Sequence, residues 1–351
     1  MVLDAASVHA GLLTLDSHID IPWPETPDPF IAGPRAVDFP KMRAGHLVAG
    51  CFVAYVPQGP RSPEGHAAAR DRALAMLAAI RDMARSEPGL TVHLADTVDG
   101  VEAAHRAGAL AVVPAVENGY AIGEDLALLA RFRALGARYV TLTHNGHNAL
   151  ADSARPRSDL HDPEALHGGL SPLGRAAIAE INRLGMLVDV SHASRQTMLQ
   201  AAQCSAVPVV ATHSCTRALC DHPRNMDDLQ LDALRDTGGL IQITAVPAFV
   251  RSHGTVETVR VAHVCDHIDY AVQRCGLGHV GIGSDFDGGG GVAGWRDASE
   301  SANLTAELLR RGYGETELAQ LWGGNFLRLL RLAEAKAEGA AVTTAPQAPA
   351  G

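Results

Sequence analysis

Lysine is almost absent from this chain of 351 residues, which contains only Lys41 and Lys336. Long apolar runs are missing too, since no stretch approaches the ~18 consecutive apolar residues of a membrane-spanning helix. This excludes a spanning helix and leaves no reason to expect a membrane partner. The first residues lack the positive region and apolar run of a secretory signal. We therefore expect a cytoplasmic protein.

Clusters of positive charge are also missing. Lys and Arg total 29 against 39 Asp and Glu, which gives a formal net charge of −10 at pH 7, and the basic residues are scattered singly. Binding to a phosphate backbone requires grouped basic residues, so we expect no nucleic-acid partner. The six cysteines form no CxxC pair, which argues against a disulfide scaffold or a zinc ribbon.

Apolar residues and histidines, in contrast, are plentiful. The apolar fraction of 47% in a chain of this length suffices for a large buried core. The 17 histidines exceed what packing needs. Metal ligation and proton transfer are the commonest special uses of imidazole, so the histidines are the first candidates for a functional site.

Short apolar runs rich in β-branched residues alternate with segments that have apolar residues at helical spacing. This alternation indicates parallel strands joined by crossover helices. Eight main strands over about 285 residues favour a closed (β/α)8 TIM-type barrel of the α/β class over an open sheet. The predicted strands span residues 12–20, 48–56, 110–117, 138–144, 186–192, 207–213, 239–246 and 279–285, with an extra short strand at 91–95.

The composition changes at the C-terminal end of the chain. We predict a single (β/α)8 domain over residues 1–335, because alternation of strands and helices continues up to that point without a linker or an internal repeat. Residues 336–351 are rich in Ala, Pro, Gly and Thr and bury too little apolar surface to order themselves. We predict that this tail is disordered.

Histidines and carboxylates recur where the predicted strands end. His18 and Asp20 lie two residues apart on the first strand, so both side chains face the same side and could reach one ion. The C-terminal strand ends of a barrel surround one cavity, where such groups converge. A helix cap or a loop contact would explain any single one of them, but not the whole set. The later strands contribute Glu117, His144, His192, His213 and Asp285.

Imidazole and carboxylate ligands without a thiolate fit Zn²⁺, Mn²⁺ or Co²⁺ in a hydrolytic centre rather than a structural zinc site. About four to six ligands exceed what one tetrahedral ion with an open position needs, which makes two ions plausible. Two adjacent cations require a bridging anion. Some two-metal barrel hydrolases use a carbamylated lysine, but neither lysine lies at a strand end. The bridge is therefore expected to be a carboxylate, and Glu117 is the obvious one.

These residues lie in motifs that resemble those of the membrane dipeptidase (renal dipeptidase-like) metallopeptidases of the amidohydrolase superfamily. The resemblance extends from about Leu12 to Leu330, and the motifs are DSHID, AVENG, TLTHN, VDVSHAS, ATHSCTRALCDHPRN and GIGSDFDG. It implies two divalent ions per chain, with zinc as the expected metal. The ligand set that it implies has His18 and Asp20 on the first ion, Glu117 as the bridge, and His192 and His213 on the second.

The resemblance also implies roles for residues around the ions. His144 would polarise the scissile carbonyl, and Asp285 would accept the proton of the bridging water and pass it to the leaving amine. Arg224 would bind the free carboxylate of the substrate through its planar fork, with Asn225 in support. Thr244, Ala245 and Val246 stand where well-known relatives carry polar and aromatic residues near the substrate, so the side-chain preference stays open.

Three functions are compatible with these observations. The main hypothesis is a binuclear metal-dependent dipeptidase that cleaves small dipeptides; from the resemblance, the C-terminal residue can be a D-residue and the protein can be a homodimer. The first alternative keeps the metal centre but acts on another amide, a lactone or a β-lactam. The second alternative is a barrel that binds metal and ligand without turnover.

Overall fold

The computed structural model of the chain describes residues 4–344. Strands and helices alternate along this part of the chain, as the apolar pattern predicts. The strands are β1 (Leu15–Asp20), β2 (Ala49–Tyr55), β3 (Ser86–Glu87), β4 (Leu90–Leu94), β5 (Leu110–Glu117), β6 (Tyr139–Thr141), β7 (Leu187–Asp189), β8 (Val210–Ser214), β9 (Leu240–Ile243) and β10 (Val280–Ile282).

Most of the helices connect one strand to the next. They are α1 (Ala5–Gly11), α2 (Phe39–Ala44), α3 (Pro63–Asp82), α4 (Val98–Arg106), α5 (Ala127–Ala134), α6 (Pro172–Arg183), α7 (Arg195–Cys204), α8 (Asp228–Thr237), α9 (Pro247–Val250), α10 (Val261–Cys275), α11 (Ser301–Arg310), α12 (Glu315–Ala319) and α13 (Asn325–Thr344). Short 3₁₀ turns occur at Gly119–Ile122, Ser158–Leu160, Leu277–His279 and Ala298–Glu300, and a π-helical turn, Gln320–Gly324, links α12 to α13.

Many of these helices are preceded by a polar residue that caps their N-terminus. A Ser, Thr or Asp immediately before the first helical residue accepts a hydrogen bond from the third backbone N–H, which would otherwise have no partner. The residues that do this before α3, α4, α6, α7 and α8 are Ser62, Thr97, Ser171, Ser194 and Asp227.

Eight parallel strands form the barrel in the order β1-β2-β5-β6-β7-β8-β9-β10. The barrel is closed by hydrogen bonds between β1 and the segment that follows β10. Asp20 N donates to Phe286 O at 2.9 Å, and Asp285 N donates to His18 O at 3.0 Å. Strands β3 and β4 form a hairpin that pairs with the start of β5. The predicted (β/α)8 barrel is therefore confirmed.

The barrel strands are apolar on both faces because each face packs against a different layer. Along β2, Ala49, Cys51 and Val53 belong to one apolar cluster, whereas Phe52 and Ala54, on the opposite face of the strand, belong to another. This alternation explains the continuous apolar runs in the sequence. Within the described residues, no helix combines the length and the apolar composition needed to cross a membrane.

Several strands are shorter than predicted, and for three of them the difference matters for the site. β6, β7 and β10 end at Thr141, Asp189 and Ile282, so His144, His192 and Asp285 lie in the loops that follow them. His192 and Asp285 have φ of 63° and 62°, values that a strand cannot accommodate. At the other end of the chain, α13 continues past the predicted boundary at residue 335 to Thr344, and residues 345–351 of the predicted tail lie outside the described part.

The cap of α4 offers a test of this local structure. Thr97 is exposed and its Oγ1 accepts from Gly100 N at 3.0 Å. Thr97→Ala removes this acceptor and should lower the free energy of unfolding by about 1 kcal/mol in urea denaturation, whereas Thr97→Ser keeps the hydroxyl and should cost much less. Equal losses in the two variants would contradict the capping role.

Candidate metal centre

The carboxylate of Glu117, at the end of β5, lies between histidines from opposite sides of the barrel. Its Oε2 is 3.6 Å from His18 Nε2, while its Oε1 is 3.2 Å from His192 Nε2 and 3.5 Å from His213 Nε2. Asp20 approaches on the β1 side, with Oδ2 3.8 Å from His18 Nε2. The five residues predicted as metal ligands therefore converge in the structure.

The hydrogen-bond network turns the Nε2 atom of His18 towards this centre. His18 Nδ1 lies 3.0 Å from Tyr139 Oη and 3.1 Å from Thr212 Oγ1. Both hydroxyls donate their own hydrogens elsewhere, Tyr139 to Ser17 O at 2.9 Å and Thr212 to Asp189 Oδ2 at 2.8 Å. Both oxygens can therefore only accept from His18, so Nδ1 carries a proton and, in the neutral ring, the lone pair is on Nε2.

The other two histidines are oriented in the same way. His213 Nδ1 lies 3.0 Å from the same Thr212 hydroxyl, and His192 Nδ1 faces the amide oxygen of Asn145 at 3.3 Å. This leaves their Nε2 lone pairs directed at one another across 3.0 Å. Two lone pairs at that distance repel unless a cation or a proton lies between them. Neighbours that fix the ring and its proton are typical of metal-binding histidines.

Whether a cation fits here can be judged from a buried atom that has no hydrogen-bond partner. His18 Nε2 is buried and makes no hydrogen bond. Burial lowers the pKa of His18, but the carboxylates of Glu117, Asp20 and Asp285 together outweigh this effect and raise that pKa to about 10. The centre therefore attracts positive charge strongly. Nitrogen and carboxylate oxygen donors without thiolate suit a divalent metal such as zinc, so the residues present fit the expected metal.

Asp285 reaches the same centre because the barrel closes at β1. Ligand atoms of His18, Asp20 and Asp285 all lie within 4.8 Å of one another. Burial raises the pKa of the Asp285 carboxyl to about 7, although the charge of His18 lowers it. Gly288 makes this approach possible, since a Cβ there would lie 2.1 Å from Asp20 Oδ2 and 2.4 Å from Asp285 Oδ1.

His144 lines a cavity of about 490 Å³ above the centre, together with Asp20, Glu117, His192 and Asp285. Its ring centroid is 4.1 Å from that of His192 and 4.7 Å from that of Tyr55. Burial lowers the pKa of His144 to about 4. The imidazole is therefore neutral near pH 7 and can donate one hydrogen bond to a substrate oxygen without carrying a charge.

Arg224 is buried beside His192 and His213. One terminal nitrogen donates to His213 O at 3.1 Å, and the guanidinium lies 5.3 Å from the centroid of the Phe249 ring. Its Nε is buried without a partner. Burial lowers the pKa of Arg224 to about 10, which leaves it charged at neutral pH. A buried cation with an unused donor is suited to a carboxylate.

The structure gives Asn225 a different role from the predicted one. Its side-chain nitrogen donates to Cys220 O and to Phe249 O, both at 2.8 Å. Both amide hydrogens are thus used within the protein, and the remaining oxygen would repel a substrate carboxylate. Asn225 connects two loops below Arg224, and this geometry disagrees with the prediction that it binds substrate.

The residues that orient the candidate ligands were not among those predicted from the sequence. Asp189 and Thr212 occur within the VDVSH and ATHS motifs, so their proximity to His192 and His213 was an available signal. Asp189 accepts hydrogen bonds from Thr141, Ser191 and Thr212, which ties β6, β7 and β8 together. Tyr139 gave no such signal, because nothing in the sequence relates it to His18.

The comparison with protein families gives one match over nearly the whole chain. The model of the family described as membrane dipeptidase (peptidase family M19) matches residues 3–343. Among curated proteins, Dipeptidase aclJ of Aspergillus oryzae is 35% identical over 298 residues, which are 84% of this chain and 69% of that protein. The chain spans only 52 to 59% of four other curated relatives that it matches.

Solved structures agree with this match. The probable dipeptidase PvdM from Pseudomonas aeruginosa has a TM-score of 0.87 and 30% identity, over 95% of this chain and 98% of that one. A metallopeptidase from Rhodobacter sphaeroides, liganded with a phosphinate mimic of the dipeptide L-Ala-D-Ala, has a TM-score of 0.76 and 26% identity, over 92% and 99% of the two chains. The predicted family resemblance is therefore confirmed.

The orientation of His18 can be tested through metal affinity. Tyr139→Phe removes one of the two acceptors of the His18 Nδ1 proton and should weaken divalent-ion binding about tenfold or more. Chelator competition with Zn²⁺ measures this. Tyr270→Phe is the matched control, because the Tyr270 hydroxyl donates to Asp228 on the outer surface at 2.7 Å. Equal affinities in the two variants would contradict the role of Tyr139.

Proposed function

This chain belongs to the membrane dipeptidase family, peptidase family M19, a family of peptide-bond hydrolases, and we propose that it hydrolyses small dipeptides at a centre of two divalent cations. The observation that carries the proposal is the position of Glu117. One of its oxygens faces His18 and the other faces His192 and His213. A carboxylate whose two oxygens serve separate donor groups is suited to bridging two ions.

The donor groups divide naturally into two sets that share Glu117. His18 and Asp20 would hold one ion, and His192 and His213 the other. Bound divalent cations lower the pKa of water and polarise a carbonyl, which is the chemistry that peptide hydrolysis needs. Zinc is the proposed metal because the donors are imidazoles and carboxylates in a site without thiolate.

Asp285 is the proposed proton carrier. Its carboxyl is half-buried next to Asp20, and desolvation raises its pKa to about 7. A group with a pKa near the working pH both accepts and releases a proton readily. In the proposed reaction Asp285 takes the proton from the attacking water and delivers it to the nitrogen of the leaving amine. No other carboxylate is then needed for proton transfer.

His144 and Arg224 would position the substrate. The neutral imidazole of His144 would donate a hydrogen bond to the carbonyl oxygen as negative charge develops on it. Arg224 would bind the free α-carboxylate through its planar fork, a geometry that lysine cannot reproduce. The L-Ala-D-Ala mimic held by the Rhodobacter metallopeptidase supports extending the proposal to dipeptides with a C-terminal D-residue.

Kinetics on a dipeptide library test the proposed activity. The chain reconstituted with Zn²⁺ should bind about two ions, as measured by elemental analysis, and should release free amino acids from L-Xaa-L-Xaa or L-Xaa-D-Xaa dipeptides. Removal of the metal by a chelator should abolish hydrolysis, and added Zn²⁺ should restore it. If only lactones or β-lactams react, the substrate class is wrong; if two ions bind without any turnover, the protein is a binding barrel.

Asp285→Asn isolates the proton transfer from metal binding. The amide keeps the size of the side chain but cannot carry a proton between water and amine, so kcat should fall by about 10²- to 10⁴-fold. The metal content should remain that of the wild-type protein, because the five proposed ligands are unchanged. An unaltered kcat would remove Asp285 from the mechanism, and loss of an ion would make it a ligand instead.

A further inference from the structure

Arg72, a residue of α3, lines the cavity above the metal centre and has no assigned role. It is the one arginine or lysine among the described residues that line this cavity. The carboxylates in the lining either face the proposed cation sites or, in the case of Asp287, lie near Arg35, 3.7 Å from its Nε. The charge of Arg72 is therefore left without a counterpart.

Among the described residues, the guanidinium of Arg72 is hydrogen-bonded through one of its nitrogens. Its Nε donates to Tyr55 O at 3.0 Å, at the end of β2, and its Cζ lies 6.0 Å from the centroid of the Tyr55 ring. No carboxylate of the described chain lies within 4.0 Å of it, whereas Arg70 on the same helix pairs with Asp71 at 2.8 Å. The two terminal nitrogens of Arg72 thus remain available to a ligand.

The barrel places Arg72 and Arg224 on opposite walls. Arg72 is bonded to the end of β2, and Arg224 is bonded to His213 on β8. These strands are four apart in the barrel order of eight, with Glu117 of β5 between them on one side. If Arg224 binds the C-terminal carboxylate, the substrate crosses the metal centre and its N-terminal residue faces Arg72.

We propose that Arg72 is a specificity-determining residue that binds an acidic side chain on the N-terminal residue of the substrate. This inference rests on the proposed dipeptidase activity and narrows it to dipeptides with N-terminal Glu or Asp. The guanidinium is pre-organised by Tyr55 O, so little side-chain entropy is lost when its two terminal nitrogens engage a carboxylate. Because Arg72 is partly exposed, the contribution is moderate and depends on salt.

The test compares L-Glu-L-Ala with L-Gln-L-Ala on the Zn²⁺-loaded full chain, because these substrates have nearly the same shape and differ in one charge. We expect kcat/KM to be about tenfold higher for L-Glu-L-Ala, and this ratio to shrink as ionic strength rises. Arg72→Gln should bring the ratio close to one. Arg72→Lys keeps the charge but not the fork and should retain part of the preference. Arg70→Gln is the matched control and should leave the ratio unchanged.

Other outcomes overturn the inference. If the ratio of kcat/KM for the two substrates is near one in the wild-type protein, or if Arg72→Gln does not change it, Arg72 does not bind the acidic group. An equal loss of kcat/KM for both substrates in Arg72→Gln shows that Arg72 serves only to hold Tyr55. Hydrolysis of L-Gln-L-Ala without a preference for L-Glu-L-Ala refutes this inference alone, whereas the absence of any dipeptide hydrolysis refutes the proposed function with it.

Discussion

The buried negative charge of Glu117 is the constraint to which the rest of the site responds. A carboxylate enclosed by protein is costly unless positive charge compensates it. The nearest groups are three imidazoles whose Nε2 atoms lie 3.2 to 3.6 Å away. In its neutral form each of these rings carries its proton on the far nitrogen, so lone pairs rather than positive charge face the carboxylate. A divalent cation bound between them would supply the missing compensation.

A second layer of polar residues maintains that arrangement. The Thr212 hydroxyl accepts from two of the rings and donates to Asp189, which in turn accepts from the backbone N–H groups of Ser191 and Thr212. Because Asp189 ends β7 and Thr212 lies on β8, the rings of His18 and His213 are oriented by strand residues. Rigidity of this kind keeps the donor atoms in position before a metal binds.

The fold and the convergence of the candidate ligands could be predicted from sequence because both depend on periodic patterns. Apolar runs located the strands, and polar residues near the ends of six of them located the cavity. The failures concern contacts between distant residues. Nothing near Asn225 indicated that two carbonyls would occupy its amide, and nothing near Tyr139 indicated His18. The long connection after β6 depends on distant contacts in the same way, since Asp152 accepts from three of its backbone N–H groups and Asp162 from two.

The burial of Arg224 also gives a reason why this cavity suits dipeptides better than longer peptides. On the proposed binding mode, a third residue at the C-terminal end would replace the α-carboxylate by a neutral amide next to a guanidinium that is only 4% exposed. Leaving a buried charge uncompensated costs about 3–5 kcal/mol, so such a peptide would bind poorly. The cavity of about 490 Å³ lies within the usual range for small-ligand sites. The charge of Arg224 and the volume of the cavity therefore both favour short substrates.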